Sequence, residues 1–526
     1  MSATRWIVSV ARACAVVCAA AVAVGLGAAA APSGSAAAGP ALAHSPATSR
    51  ISQDVGSAVQ QAIAQMGLKK ATIGVSVRDL QTGALIVDVD GWQPLLPASN
   101  MKVLTSGAAL VTLGADFKFK TLLLQDGDRL VVKADGDPAF GDPALLAQLV
   151  YTDGNGNRIS GMTVDALLDH WVDAVRRAGM TRVREVVVDD RVFDREFVHP
   201  MWPADQLGNA YCAQVSGLNF HTNLLHAFVA AGGARGEVTR WAPAAPWLNV
   251  VNKSTSVGGK KAEQTVWIGR TDDADTFSLN GNVKATPNDP IAVCVNDMPT
   301  FFARVLAARL RAAGISVDAA RVAQAGEPAA TGKAIGPVIQ TPLATVVQRC
   351  NTDSQNLYAE SLLKRIGYAS SGQPGSWANG GAALAQAIDA RLGAGMAAKG
   401  LVVSDGSGLS RGNRVAPNLV TAWLGAMSAD AALQQVFMDS LAVAGESGTV
   451  SKRFKDLDTS KVYAPCKTGY INGVSCLSGY VGPVGAPPRF AFSVLCNDLT
   501  EKAALSKAKE LQERVVKILA SKLAPG

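Results

Sequence analysis

Pro97-Ala98-Ser99-Asn100-Met101-Lys102-Val103-Leu104-Thr105-Ser106-Gly107-Ala108-Ala109-Leu110 is the stretch on which the reading of this chain turns. It is apolar nearly all round, which predicts a helix buried on most sides, with Ser99 at its start. Backbone N–H groups are unpaired at a helix start, and the helix dipole there favours a developing negative charge. A serine hydroxyl is a poor nucleophile near neutral pH and needs a base within reach. Lys102 lies three residues on, along the same helical face. Desolvation and a neighbouring cation lower a lysine's pKa towards proton acceptance.

Spacing alone does not single out Ser99, because Ser-x-x-Lys recurs at Ser361 and Ser506. Those two fall inside ordinary helical stretches. A second element, Ser354-Gln355-Asn356, brings a hydroxyl that can relay a proton and an amide that can hold a carbonyl. The helical run Leu357 to Leu363 follows it. Ser278-Leu279-Asn280 has the same spacing without such a helix. A third element, Lys467-Thr468-Gly469, occurs once and opens a strand. There Lys467 supplies charge, Thr468 points at a carboxylate, and Gly469 lets a ligand backbone lie close. Ser-x-x-Lys, Ser-x-Asn and Lys-Thr-Gly in this order form the signature of penicillin-recognising serine enzymes.

On these motifs the chain resembles the low-molecular-mass class C penicillin-binding proteins, which are D-alanyl-D-alanine carboxypeptidases and endopeptidases. The resemblance spans nearly the whole mature chain. It takes in Gly136-Asp137-Pro138, Val188-Asp189-Asp190 with Phe193, Asp405-Gly406-Ser407-Gly408-Leu409-Ser410-Arg411 with Asn413, Ala444-Gly445 with Gly448-Thr449, and Leu477-Ser478-Gly479-Tyr480. It implies an α+β fold: a transpeptidase-like domain of helices around a five-stranded antiparallel sheet, with a large, mostly β-containing insertion. The implied activity is serine carboxypeptidase and/or endopeptidase action on peptidoglycan stem peptides through an acyl-enzyme, with β-lactams as covalent inhibitors. In that reading Ser99 attacks, Lys102 takes its proton, Ser354 relays a proton to the leaving amine, and Asn356 orients the acyl chain. Lys467, Thr468 and Gly469 receive the terminal carboxylate end, the N–H groups of Ser99 and Tyr470 hold the oxyanion, and Arg411 meets substrate side chains. The resemblance also suggests Asp189 and Asp190 as an amine-binding pair, against the equal alternative of a surface turn. The sequence departs from the family at Gln355, where many members carry Asp, and at Tyr470, where Thr or Ser often stands. Cys350 and Cys466 beside the second and third motifs are also unusual.

Alternation through Ile73, Val75 and Val77, the Gln81-Thr82-Gly83 turn, and Leu85, Val87 and Val89 predict a β-hairpin. Strand-like runs at 473–481 and 489–495 precede helical spacing from Leu505 to Leu519. Both chain ends therefore share one sheet. We expect a discontinuous catalytic domain of residues 44–120 plus 335–526, with residues 121–334 as an insertion of two small domains. Arg5 and Arg12 ahead of an Ala/Val-rich stretch predict an export signal and short leader over 1–43. Export to the periplasm or cell-wall space follows, with an uncleaved N-terminal anchor as the alternative.

Six cysteines remain in the mature chain (Cys212, Cys294, Cys350, Cys466, Cys476 and Cys496) as buried thiols or disulfides. Their spacing gives no zinc site, and no metal or cofactor is expected. A net charge of +7 without a basic run argues against nucleic-acid binding. It leaves peripheral membrane contact and the oligomeric state open. Three rival readings stand: a β-lactamase, a serine esterase built on Gly408-Leu409-Ser410-Arg411-Gly412, and a catalytically idle peptidoglycan-binding protein.

Overall fold

The computed structural model describes residues 46–152 and 158–523; the leader read at 1–43 lies outside them. The alternating N-terminal runs form the hairpin Thr72–Asp79 and Leu85–Val89. Along its whole length Thr72–Asp79 also pairs antiparallel with Phe490–Asn497 from the other end of the chain. Val474–Pro483 and then Pro465–Ile471 continue the sheet, giving five antiparallel strands. Two-residue strands at Ala442–Val443 and Val462–Tyr463 extend it.

Each face of this sheet has its own helical cover. On one side, Val55 and Val59 from Pro46–Met66 and Leu511, Val515 and Leu519 from Ala504–Ala520 pack with Val75, Val77, Phe492 and Val494. On the other lies an all-helical core of Met101–Leu113, Leu343–Thr352, Asn356–Ser371, Trp377–Leu392 and Pro417–Ala429. Burying some twenty large side chains here, each contributing about 1.5–3 kcal/mol, fixes the helix bearing Ser99 against the sheet. Gly107 is needed for that fit. A Cβ there would lie 2.6 Å from Nε1 of Trp423, which instead donates to the Val103 carbonyl at 3.2 Å.

Between the halves, Ser316–Val322, Arg182–Asp189, Arg129–Lys133 and Lys118–Asp126 form a mixed sheet in that order. Ile339–Pro342 and Lys333–Ala334 run along its last strand. Helices Val164–Arg177 and Met298–Ala312 share its core. Short β-sheets over residues 224–294 are nested within it. Buried polar contacts fasten this region to the helical core. Asp142, 1% exposed, accepts from Arg349 at 2.7 Å and from the Tyr358 hydroxyl at 2.5 Å. Lys364 donates to Asp194 at 2.6 Å, and along the mixed sheet itself Thr341 donates to Asp137 at 2.6 Å. Among the described residues no helix is long and apolar enough to cross a membrane.

Candidate active site

A 3-10 turn at Ala98–Asn100 opens the helix Met101–Leu113 and leaves Ser99 half-buried at the start of a helix buried from Met101 to Leu110. Ala98 adopts a left-handed φ of 45° to make this turn. Two neighbours clamp it. The Asn100 side-chain amide donates to the Lys467 carbonyl at 3.0 Å, tying the turn to Pro465–Ile471. Gly469 faces the turn so closely that a Cβ would sit 2.5 Å from the Pro97 carbonyl oxygen. Opposite, Gly408, with φ 85°, leaves no room for a Cβ, which would lie 1.8 Å from the Ala98 carbonyl oxygen.

Lys102 is fully buried, and its Nζ donates to Ser99 Oγ at 3.0 Å, Asn356 Oδ1 at 2.7 Å and the Ser407 carbonyl at 2.9 Å. Ser354, itself at a left-handed φ of 59°, precedes the helix Asn356–Ser371 and accepts from Lys467 Nζ at 2.9 Å. One cluster thus joins Ser99, Lys102, Ser354, Asn356 and Lys467, residues more than 360 positions apart at the extremes. Burial lowers Lys102 to about 8, opposed by Cys350, Glu360 and Asp405. Burial also lowers Lys467 to about 7, and the positive charge of Lys102 pushes the same way. Two ammonium groups in one dry site disfavour each other, so proton loss from one favours charge on the other.

The loop after Val402 is built on buried carboxylates. Asp405 accepts from the N–H groups of Gly408 (2.7 Å) and Ser410 (2.6 Å), from Asn413 (2.7 Å) and from the Trp202 indole (2.9 Å). Glu360 accepts from Gly406 N (2.9 Å), Ser407 N (2.8 Å) and the Trp377 indole (2.8 Å). Ser410 is fully buried, shares a hydrogen bond with Ser404 and is followed by loop into the strand Arg414–Val415. The strand-turn-helix elbow that an esterase nucleophile needs is therefore absent around Ser410.

The other Ser-x-x-Lys and Ser-x-Asn matches resolve as structural. Ser361 is buried and accepts from Asn219 at 3.2 Å; Ser506 donates to the Ala503 carbonyl; Ser278 lies in the strand Thr276–Asn280. Thr468 Oγ1 shares a 2.8 Å hydrogen bond with Thr449 Oγ1 beside the site. Tyr470 projects its ring into solvent, 59% exposed, from the same strand. Arg411 reaches across to donate to the Asn472 carbonyl in the turn after that strand. Asp189 is engaged by Arg191 at 2.8 Å and Asp190, 1% exposed, by Arg195 at 2.9 Å, so each already holds a cation of its own neighbourhood.

Sequence reading missed Tyr211, whose carbonyl accepts from the Asn356 amide at 2.8 Å. A backbone acceptor leaves no residue-type signal. It missed Glu360 as well, although position i+4 from Asn356 on a helix was a usable hint. All six described cysteines are buried free thiols, and burial raises Cys350 and Cys466 to about 12. No group of three or more potential metal ligands occurs among the described residues.

A serine paired to a buried lysine, with Ser-x-Asn on one wall and Lys-Thr-Gly on a sheet edge, defines a penicillin-recognising serine acyl-transfer enzyme. The chain belongs to the D-Ala-D-Ala carboxypeptidase 3 (S13) family, whose model matches residues 55–521, and it is a serine-type D-alanyl-D-alanine carboxypeptidase. A D-alanyl-D-alanine carboxypeptidase of an Actinomadura species is 32% identical over 84% of this chain and 80% of its own length. The crystal structure of penicillin binding protein 4 from Haemophilus influenzae superposes with a TM-score of 0.66 at 21% identity, covering 89% of this chain and 99% of the other. Its β-lactam complex gives 0.62 at 22% identity, over 87% and 97%.

Proposed function

We propose that Ser99 is the nucleophile of this carboxypeptidase and neutral Lys102 its base. The observation that carries this is the 3.0 Å approach of Lys102 Nζ to Ser99 Oγ inside a fully buried amine environment. Neutral Lys102 takes the hydroxyl proton as Ser99 attacks the carbonyl of the penultimate D-alanine. The N–H groups of Ser99 and Tyr470 hold the oxyanion, each donor contributing about 3 kcal/mol in comparable sites. Ser354, in contact with Lys467, gives its hydroxyl proton to the leaving D-alanine amine and regains one from the two-lysine cluster, so that in net terms the proton Lys102 took from Ser99 leaves with the amine. Water then hydrolyses the ester.

Lys467 and Thr468 receive the substrate's terminal carboxylate, with Gly469 allowing its close approach. That carboxylate favours the charged form of Lys467, and a charged Lys467 favours the neutral form of Lys102. Substrate binding thereby prepares the base. Asn356 orients the acyl chain, and Arg411 contributes to side-chain recognition on the rim. The substrates are peptidoglycan stem peptides, including crosslinked ones cleaved as an endopeptidase, and β-lactams acylate Ser99. The β-lactam complex of the Haemophilus protein supports that last point.

In this reading residues 44–120 and 335–526 form the catalytic unit, 121–334 form the insertion, and the chain works in the periplasm or cell-wall space after loss of 1–43. Labelling with fluorescent penicillin tests the assignment. Ser99→Ala removes the label, whereas Ser361→Ala keeps it; a labelled Ser99→Ala protein would sink the assignment.

A further inference from the structure

Lys102 has a third hydrogen bond that the acyl-transfer scheme does not use: its Nζ donates to the carbonyl of Ser407. A backbone carbonyl can aim a side chain only if its own loop is held still. The loop Gly406–Gly408 has no regular partner strand and contains two glycines. It is held by Thr105, whose hydroxyl donates to the Gly406 carbonyl at 2.8 Å, by Asp405 on the Gly408 N–H, and by Glu360, from the helix that also carries Asn356 one turn earlier, which takes the two consecutive N–H groups of Gly406 and Ser407. Positions i and i+4 share a helical face, so Asn356 reaches Lys102 directly and Glu360 reaches it through the loop.

We propose that Glu360 is a positioning residue for Lys102: its carboxylate grips the N–H groups of Gly406 and Ser407, fixes the Ser407 carbonyl, and so aims the lysine at Ser99. The inference rests on Ser99 and Lys102 being nucleophile and base. All three partners of Glu360 are donors: two consecutive backbone N–H groups and the Trp377 indole. A carboxylate can satisfy all three, whereas the single acceptor oxygen of a glutamine leaves an amide N–H facing a donor. The Ser407–Gly408 peptide is also held from its other end, because the Gly408 N–H donates to Asp405 while the Ser407 carbonyl accepts from Lys102. Negative charge beneath the loop is thus directed through oriented peptide dipoles to the amine.

Glu360 is fully buried, so its charge acts with little screening. The titratable groups that face it are Asp405 from the loop, Lys102 from the Ser99 helix, Cys350 from Leu343–Thr352, and Lys364 on its own helix. His199 adjoins Asp405, and Lys467 adjoins Lys102. Burial, then the neighbouring Asp405, raises Glu360 to about 7. Cys350, raised to about 12 by burial, is a neutral thiol near neutrality. The carboxylates are therefore the charges that favour the ammonium form of Lys102, and losing one lowers the pH at which the base becomes free.

The test is a pH profile of kcat/KM on a D-alanyl-D-alanine peptide, with β-lactam acylation rates, for full-length Glu360→Gln and Glu360→Asp. Glu360→Gln is expected to lower acylation about 10- to 100-fold through misplacement of the base and to move the limb reporting on Lys102 about one pH unit to lower pH. Glu360→Asp keeps the charge and shortens the arm. It is expected to lose rate while the limb stays near its original pH, which also covers the case in which the Gln variant does not fold. A limb unmoved in Glu360→Gln, or shifted equally in both variants, overturns the proposal. Ser99→Ala, assayed in parallel, separates the two readings. Its continued acylation would overturn the site assignment, whereas an inert Ser99→Ala beside an unmoved Glu360→Gln limb would overturn the role of Glu360 alone.

Discussion

Replacing Gly408 by alanine puts the geometry of the serine turn to a quantitative test. The added Cβ would lie 1.8 Å from the Ala98 carbonyl oxygen, 2.4 Å from its carbon and 3.1 Å from Met101 Cβ. The first two are backbone atoms of the residue preceding Ser99, so no side chain can swing aside. Relief requires the Ala98 peptide to retreat by more than about 1 Å, an overpacking cost of about 1–3 kcal/mol. The left-handed φ of 85° adds about 1–2 kcal/mol. Gly83 provides the control, since its φ is 73° and nothing lies within 4 Å of its would-be Cβ. Gly83→Ala therefore carries the conformational cost without the clash. A displacement near 1 Å at the reacting oxygen costs about 100-fold in rate. We expect Gly408→Ala to acylate a chromogenic β-lactam about 100-fold more slowly than wild type in stopped-flow traces, and Gly83→Ala to react normally after a comparable backbone penalty. A Gly408→Ala enzyme that acylates at the wild-type rate would refute the claim that this contact holds Ser99.

Further expectations follow from buried charge. In the proposed scheme Lys102, lowered to about 8 by burial, acts in its neutral form, so the fraction able to serve as base grows as pH climbs towards that value. The same scheme needs Lys467, lowered to about 7 by burial, in its charged form to hold a carboxylate, so its contribution falls as pH climbs through about 7. The profile should be a narrow bell peaking between the two, and a flat profile across neutrality would contradict the pairing. Asp142→Ala strands Arg349 and the Tyr358 hydroxyl and should destabilise by about 3 kcal/mol, the low end for a broken buried pair because Arg349 keeps Asp353 at 2.6 Å. Thermal unfolding followed by tryptophan fluorescence checks this, with Asp142→Asn expected to recover part of the loss. In protein produced without residues 1–43, the thiols Cys212, Cys294, Cys350, Cys466, Cys476 and Cys496 should be silent to a thiol reagent when native and all react in urea. Fewer than six after denaturation without reductant would reveal a disulfide.

The catalytic sheet and three motifs were legible because their signals are local. Alternation at Ile73, Val75 and Val77 needs no partner to be read, and Lys467-Thr468-Gly469 carries its chemistry in three adjacent residues. The supports of the site were less legible. Glu360 reads as an ordinary polar residue on a helix until the Gly406–Ser407 N–H groups arrive from 46 and 47 positions away. Tyr211 contributes a carbonyl that any residue would have. Asp189 and Asp190 look available in sequence, yet Arg191 and Arg195 occupy them once the strand Arg182–Asp189 ends beside them. Residue type announces reactive groups, whereas the acceptors that aim them emerge only from tertiary contact.

The pairing of Thr72–Asp79 with Phe490–Asn497 has a bearing on the life of the chain before it is an enzyme. Ser99 leaves the ribosome early, but the strand carrying Lys467 and the one that docks beside the N-terminal hairpin are among the last parts made. Closing so long a loop is slow, because its entropy is lost before the contacts that compensate it can form. A nascent chain therefore holds a serine with neither its clamp nor its proposed carboxylate receptor. Reactivity arrives only with the final strands, so a chain cut short before Phe490 should be inert towards penicillin however well its helices form.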